Sequence, residues 1–401
     1  MKASLKSQTP VQPLSTSETG AGIRGPFQWG LNSHRPHAFK APLCPSPPRL
    51  RFQKDPPNPA FVVSQSPPSR ASSCPMPRAD DYFQSYTDPG VHRLMIQDTV
   101  RTEAYRDALN ELIQPGMVVV DVGSGSGILS LFAARAGARR VHAVEASSMA
   151  PVIEALAKAN DYENIIKVHH CRAEDLQLDG KVDLIVSEWM GYFGLAERMF
   201  ESVLDVRDRF LAEDGRMVPD RFRLKLFPIQ DEGLHQVHGP GSWDDPIYGF
   251  DFGPMSDYEY AELSTTAPTI LPSGALGPHV SLIDLDLEFC SAEDFFFDQK
   301  VELPIECNGV VQGIGGYFEV DLAPETSLTC APEAPATHWR QSWFPVRPFK
   351  VCCGDKLELT MQAVPRFEGD IRLPDYLMDG ALMRAGKLEH SFFHRHLGSY
   401  E

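Results

Sequence analysis

Two hydrophobic rhythms divide the chain at about Asp220. Before it, apolar residues come in short runs: Met117 to Val122, Arg140 to Val144 and Val182 to Val186. Runs of that length and β-branched content suit strands buried on both faces of a parallel sheet. Ile128 to Ala136, between the first two, has the apolar spacing of a helix. Strand, helix, strand predicts an α/β domain. After Asp220, apolar and polar residues alternate, as in Phe222-Leu224-Leu226, Ile283-Leu285-Leu287-Phe289, Phe318-Val320-Leu322 and Leu357-Leu359-Met361. Alternation of this kind marks half-buried antiparallel strands, and several in one half predict a sandwich or barrel.

The chemistry-bearing residues fall at predicted strand ends, where ligands bind an open parallel sheet. The first strand runs into Asp121-Val122-Gly123-Ser124-Gly125-Ser126-Gly127, and the second ends in Glu145. Glycines there let the backbone approach a nucleotide, and an acid about 20 positions on can hold both ribose hydroxyls. A Gly-rich loop alone is as often an ordinary turn, but the strand, helix, second strand and terminal acid around this one favour nucleotide-type binding. The spacing is G-x-G-x-G, not the G-x-G-x-x-G of dinucleotide binders, and no Lys follows to make a phosphate cradle. A ligand with ribose but no phosphate fits best, and S-adenosyl-L-methionine (AdoMet) is the common one.

A second feature is a pair of acids. Glu188 follows the Val182 to Val186 run, and Glu197 returns nine positions later, after Gly191 and Gly194, at the start of a helical stretch. Two carboxylates folded back on each other repel unless a cation sits between them. The pair predicts a cationic group at the carboxyl ends of the strands.

With these pieces, the chain resembles the protein arginine methyltransferase family, in its type I group that makes asymmetric dimethylarginine. Tyr82-Phe83-Gln84-Ser85-Tyr86 resembles the N-terminal YFxxY signature, DVGSGSG motif I, and Val144 to Ser147 the end of the following strand. SEWMGYFGLAERMF resembles the double-glutamate loop, Leu211 to Asp220 motif III, and Thr337-His338-Trp339 the THW loop. The pieces stand in family order from about Asp80 to about Trp339.

The resemblance implies a Rossmann-like α/β AdoMet-dependent methyltransferase domain followed by an antiparallel β-barrel with an inserted helical dimerisation arm. Boundaries fall at 1–78 for a tail, 79–221 for the cofactor domain and 222–401 for the barrel, with the arm at about 230–255 around Tyr248-Gly249-Phe250-Asp251. It implies that Tyr82, Phe83, His92, Asp121, Gly123, Gly125 and Glu145 hold AdoMet, with Glu145 on the ribose, Glu174 by the adenine and Arg101 on the methionine carboxylate. Glu188 and Glu197 would clamp the substrate guanidinium, His338 would pair with Asp98, and Tyr86, Met95, Met199 and Trp339 would line the acceptor pocket. The implied partners are arginine-rich proteins, including Gly/Arg-rich proteins and histones, and a second copy of the chain.

Physical chemistry supports a clamp independently. An arginine side chain stays charged, with a pKa above about 12, so its nitrogens are poor nucleophiles. Carboxylates can grip a guanidinium bidentately and fix its plane. Alignment of one nitrogen with a methyl donor can supply about 7–11 kcal/mol of a barrier. One proton must leave, and Asp98–His338 and Glu197 are both candidates to take it.

Each assignment has a plainer competitor. A lone Glu188 would be a solvated strand-end acid, a lone His338 a structural histidine, Met95 and Met199 core fillers, and Tyr82, Phe83 and Tyr86 ordinary packing at helical spacing. The chain also departs from the family pattern. Arg93-Leu94 stand where two acids are common, Arg198 where a serine is usual, and Gly194-Leu195-Ala196 where the loop is bulkier. These departures bear on substrate preference and rate more than on reaction type.

Composition changes the picture at two points. The net charge is −17, yet residues 1–78 carry ten Lys/Arg against two acids, leaving −25 on the rest. An acidic body suits basic protein substrates and argues against direct nucleic-acid binding. Fifteen of the 34 prolines lie in residues 1–78, a composition that predicts a disordered cytosolic or nuclear tail and also matches an organelle transit segment. No apolar run is long enough for a membrane span. The eight cysteines lack metal-ligand spacing, so reduced thiols and no metal are expected.

Overall fold

The structure, a computed structural model, describes residues 86–196, 199–261, 268–365 and 374–396. The tail 1–78, Tyr82, Phe83, Glu197 and Arg198 lie outside them, and the described residues all fall in one unit.

Two helices lead in, α1 (Pro89–Gln97) and α2 (Thr99–Leu112). Asp88 and Asp98 cap them, accepting backbone N–H groups from Gly90 and Arg101 respectively. Each carboxylate satisfies a donor that the first helical turn leaves unpaired, which is why the chain breaks between the helices at Asp98.

The parallel sheet contains β1 (Val118–Val122), β2 (Arg140–Glu145), β3 (Ile166–His170), β4 (Val182–Val186) and β5 (Leu211–Val218). Helices α3 (Ile128–Ala136), α4 (Ala150–Ala159) and α5 (Phe200–Phe210) lie between strands in the chain. The strand order is β3-β2-β1-β4-β5. The chain thus steps outward from β1 to β3, then crosses back to place β4 against β1. This reversal is the switch point where open sheets form their ligand crevice. It brings the glycine loop after β1 beside Glu188 after β4.

Beyond Asp220 come β6 (Arg221–Ile229), α6 (Glu232–His238), α7 (Gly253–Ala261), β7 (Val280–Asp286), β8 (Asp298–Pro304) and β9 (Gly309–Ala323). They are followed by β10 (Thr326–Thr329), β11 (Ser342–Val351), β12 (Lys356–Pro365), β13 (Pro374–Arg384) and β14 (Lys387–His396). These strands make two antiparallel sheets, β10-β9-β6-β7 with β11 also on β9, and β14-β13-β12-β8. Among the described residues the sheets do not close into a barrel.

The expected alternation is clean in β12, where Leu357, Leu359 and Met361 are buried. It breaks in two places. Strand β7 ends at Asp286, and Phe289 lies beyond it in a turn, 81% exposed, so that residue is no strand position. Strand β9 is buried without alternation from Val311 through Phe318. Such a strand has no solvent face to write polar residues on.

The parallel sheet and the first antiparallel sheet share one core. Phe200 and Phe295 stack at 3.9 Å, and the Trp189 ring lies 5.1 Å from Phe222. The arm between β6 and β7 is anchored by buried Leu234 and His235, whereas Tyr248 and Phe250 are 96% and 70% exposed.

Candidate active site

Glu188 is placed by its neighbours. The Ser187 N–H donates to the Val218 carbonyl at 2.9 Å, and Ser187 Oγ donates to that of Val122 at 2.7 Å. The buried Tyr105 hydroxyl donates to the Ser187 carbonyl at 3.2 Å. On the other side Trp189 is fixed in the aromatic cluster. The backbone on both sides of Glu188 is therefore tied to β1, β5, α2 and the shared core.

The Glu188 carboxylate grips a guanidinium of the chain itself. Arg101 donates to Oε2 from Nη2 at 2.5 Å and from Nε at 2.9 Å, and both side chains are 7% exposed. Arg101 Nη1 donates to the Met95 carbonyl at 3.2 Å. Burial works against the Arg101 charge, but Glu188 outweighs it and holds the guanidinium pKa above its ordinary value. Glu188 Oε1 accepts the Met190 N–H at 3.2 Å.

The turn after Glu188 is close-fitting. The Gly194 N–H donates to the Gly191 carbonyl at 2.9 Å, with Phe193 and Gly194 at φ of 50° and 73°. A Cβ at Gly194 would lie 2.4 Å from Phe222 Cζ. The departure from bulkier residues at this position is therefore matched by Phe222, which fills the space. Trp339 is buried, packs edge-on against Phe318 and donates Nε1–H to the Met190 carbonyl at 2.7 Å. Its ring braces the turn.

The glycine loop has Gly123 at φ 68° and Gly125 at φ 53°, in the left-handed region that other residues enter at a cost. A Cβ on Gly123 would come 2.1 Å from Met199 Cε, and one on Gly125 would come 3.2 Å from His92 Cε1. Glu145 folds over the loop, accepting the Gly125 N–H and the Ser147 N–H, each at 2.7 Å. Asp121 is fully buried; Ser130 Oγ donates to its Oδ2 at 2.6 Å, and burial pushes its pKa up to about 6. Asp121 Oδ1 and His92 Nδ1 are buried without a partner, while His92 Nε2 lies 2.8 Å from the carbonyl of half-buried Tyr86. Glu174 Oε1 accepts the Ser202 hydroxyl at 2.5 Å. A close-approach loop, an acid at the next strand end and two unspent buried polar atoms form a cradle that fits a nucleoside ligand with hydroxyl and amine groups.

His338 and Asp98 meet. Asp98 Oδ2 accepts the His338 N–H at 2.8 Å, and His338 Nδ1 lies 2.8 Å from the same oxygen. Burial favours the neutral acid, but the hydrogen bonds from His338 and Arg101 prevail and lower the Asp98 pKa. An ionised Asp98 accepts, so His338 Nδ1 donates. The contact ties α2 to the loop before β11.

The structure thus gathers Asp98, Arg101, Glu188, His338 and Trp339 into one set of contacts, with His92, Gly123, Gly125 and Met199 in another at the adjacent loop. It places Met199 on the glycine loop itself, and Met95 against Arg101 through its carbonyl. Sequence reasoning missed Tyr105 and Ser187. Tyr105 lies one helical turn after Arg101 on α2, a spacing that puts both on one face, which was the available signal. Ser187 carried none.

Comparison with known proteins gives the same picture. Residues 221–379 match the arginine methyltransferase oligomerization subdomain, and residues 102–204 match the ribosomal protein L11 methyltransferase (PrmA) family. The chain is 36% identical to Schizosaccharomyces pombe protein arginine N-methyltransferase 1 over 271 residues, covering 66% of this chain and 78% of that protein. It is 33% identical to Arabidopsis thaliana protein arginine N-methyltransferase 1.1 over 323 residues, covering 78% and 82%. Among solved structures it resembles the Trypanosoma brucei PRMT1 enzyme–prozyme heterotetrameric complex with AdoHcy, with TM-score 0.70, 31% identity and coverage of 78% of this chain and 99% of that one. Arabidopsis thaliana protein arginine methyltransferase 10, in an open conformation, matches with TM-score 0.70 and 32% identity, covering 79% and 99%.

Proposed function

The chain belongs to the protein arginine N-methyltransferase family, and from that premise we propose that it methylates arginine side chains of proteins with AdoMet, giving monomethyl- and then asymmetric dimethylarginine. The observation that carries the reading is Glu188, a buried carboxylate beside the glycine loop whose setting already accepts a guanidinium. Its Oε2 is taken by Arg101, while Oε1 faces one backbone N–H and retains lone-pair capacity for a second guanidinium.

The residues present fit the cofactor. Glu145, Asp121, Gly123, Gly125 and His92 would hold its nucleoside end, with Arg101 at its carboxylate. Bound AdoMet supplies an electrophilic methyl group on a sulfonium. The protein's part is to bind, align and deprotonate. Glu188 fixes the plane of the incoming guanidinium, and the buried setting strengthens that grip. The Asp98–His338 pair is a proton acceptor that the described residues offer, since Asp98 holds Nδ1 and leaves Nε2 to take the proton. Met95 and Met199 are flexible thioethers, able to yield when the same nitrogen returns carrying one methyl. An acidic body favours arginine-rich, basic segments as substrates.

Glu188→Gln tests the reading. It should lower transfer to an arginine-rich peptide by at least a hundredfold while AdoMet affinity falls only several-fold. It should also lower Tm, because Arg101 keeps its charge and loses its counter-ion. Near wild-type turnover would overturn the assignment of Glu188.

The chain carries the family's oligomerization subdomain. We assign the contact to the arm, where Tyr248 and Phe250 stand exposed and are suited to meet a second copy of this chain.

A further inference from the structure

Two of the residues gathered at the site stand on a loop outside the sheets. It runs from Cys330 to Gln341, between β10 and β11, and brings His338 to Asp98 and Trp339 to the Met190 carbonyl. Its last residue, Gln341, is 6% exposed. Gln341 Nε2 donates to the Cys330 carbonyl at 2.8 Å, which closes the loop at its base. Gln341 Oε1 accepts the Ile270 N–H at 2.9 Å, and the Gln341 N–H donates to the Pro268 carbonyl at 3.4 Å.

Those last two partners belong to the arm. The arm leaves β6 at Gln230 and is rejoined at Gly274, where the Gln230 N–H donates to the Gly274 carbonyl at 2.8 Å. Pro268 and Ile270 therefore lie on its returning limb. Ile270 and Cys330 are buried, and neither stands in a strand. Buried backbone groups without a ladder partner must be paired elsewhere. One side-chain amide, with a donor and an acceptor, serves both; a carboxylate only accepts.

The loop depends on such support. Arg340 is held at φ 54°, in the left-handed region, with its N–H on the Thr337 carbonyl at 3.3 Å. A residue with a side chain keeps that conformation only where its surroundings impose it. Gln341, next in the chain, is fastened on both sides.

We propose that Gln341 is a positioning residue for methyl transfer: it holds the loop on which His338 meets Asp98, and it makes the arm's returning limb part of that hold. The proposal rests on the reading of Asp98–His338 as the proton acceptor. Its consequence is that a change in the seating of the arm reaches His338 through Gln341.

Gln341→Met keeps the side chain's length and removes both of its hydrogen bonds. It should lower kcat on an arginine-rich peptide roughly tenfold or more, while AdoMet affinity and peptide KM stay near wild type. Hydrogen exchange read by mass spectrometry should show peptides covering Ile270 and His338 losing protection together. In thermal scans at pH 7, Asp98→Asn should lower Tm less in the Gln341→Met background than in wild type, since the contact it removes is already loosened. If Gln341→Met does not fold, Gln341→Glu gives the same kcat test, because it sets a carboxylate oxygen against the Cys330 carbonyl. Wild-type kcat in the Gln341 variant, with His338→Ala impaired, overturns the proposal and leaves the reading of His338 standing. Wild-type kcat in His338→Ala overturns both. An undiminished Asp98→Asn effect in the Gln341→Met background, or unchanged protection at Ile270, equally overturns the proposal.

Discussion

At the scale of residues, the charges around Glu188 are arranged in series: Glu188 on Arg101, Asp98 on His338, with Asp98 Oδ1 also accepting the Arg101 N–H at 3.1 Å. The Asp98 pKa is lowered in the fold, so the pair adds stability above the ordinary carboxylate pKa of about 3.8 and loses it as pH falls through the depressed value. Asp98→Asn should therefore cost about 1–2 kcal/mol at pH 7, and its Tm should converge on wild type as pH drops below about 4. Thermal scans across pH 3 to 8 check this; a constant gap down to acid pH would remove the charge from the explanation. Much at this scale was legible in sequence. Glu188, Glu145 and the loop glycines were expected at strand ends, and the structure places them there. The pairing of Arg101 with Glu188 was not legible, because residues 87 positions apart meet only once the sheet is assembled.

Among elements, the fold follows from which strands have a solvent face. Buried β1 and β4 wrote mostly apolar runs, each broken by one aspartate, and β12 wrote alternation; each was readable. The two-sided burial of β9 and the register slip between β6 and β7 at Leu224 and Lys225 were not, since both depend on what packs alongside. The turn after β4 is the most constrained connection at the site. Gly194→Ala would put a methyl against Phe222 in a left-handed backbone, costing about 1–3 kcal/mol. Because the same turn carries Glu188, kcat should fall more than AdoMet affinity. Unchanged kcat and Tm would show that the turn relaxes freely.

For the whole molecule, the parallel sheet supplies the cofactor loop and Glu188, and the segment before β11 supplies His338 and Trp339, so the site needs both halves in place. The arm is bound into its own chain through Leu234 and His235 but leaves Tyr248 and Phe250 outward. Tyr248→Asp with Phe250→Asp should convert the assembly to monomers with weaker AdoMet binding, read by sedimentation velocity; an unchanged sedimentation coefficient would clear the arm of that role. The central claim is the reaction itself, and its product is the most direct measure. Incubation with methyl-labelled AdoMet and an arginine-rich protein, followed by acid hydrolysis and chromatography, should give label in monomethylarginine first and asymmetric dimethylarginine later. Label in symmetric dimethylarginine, or none in any methylated arginine despite AdoMet binding, would contradict the account.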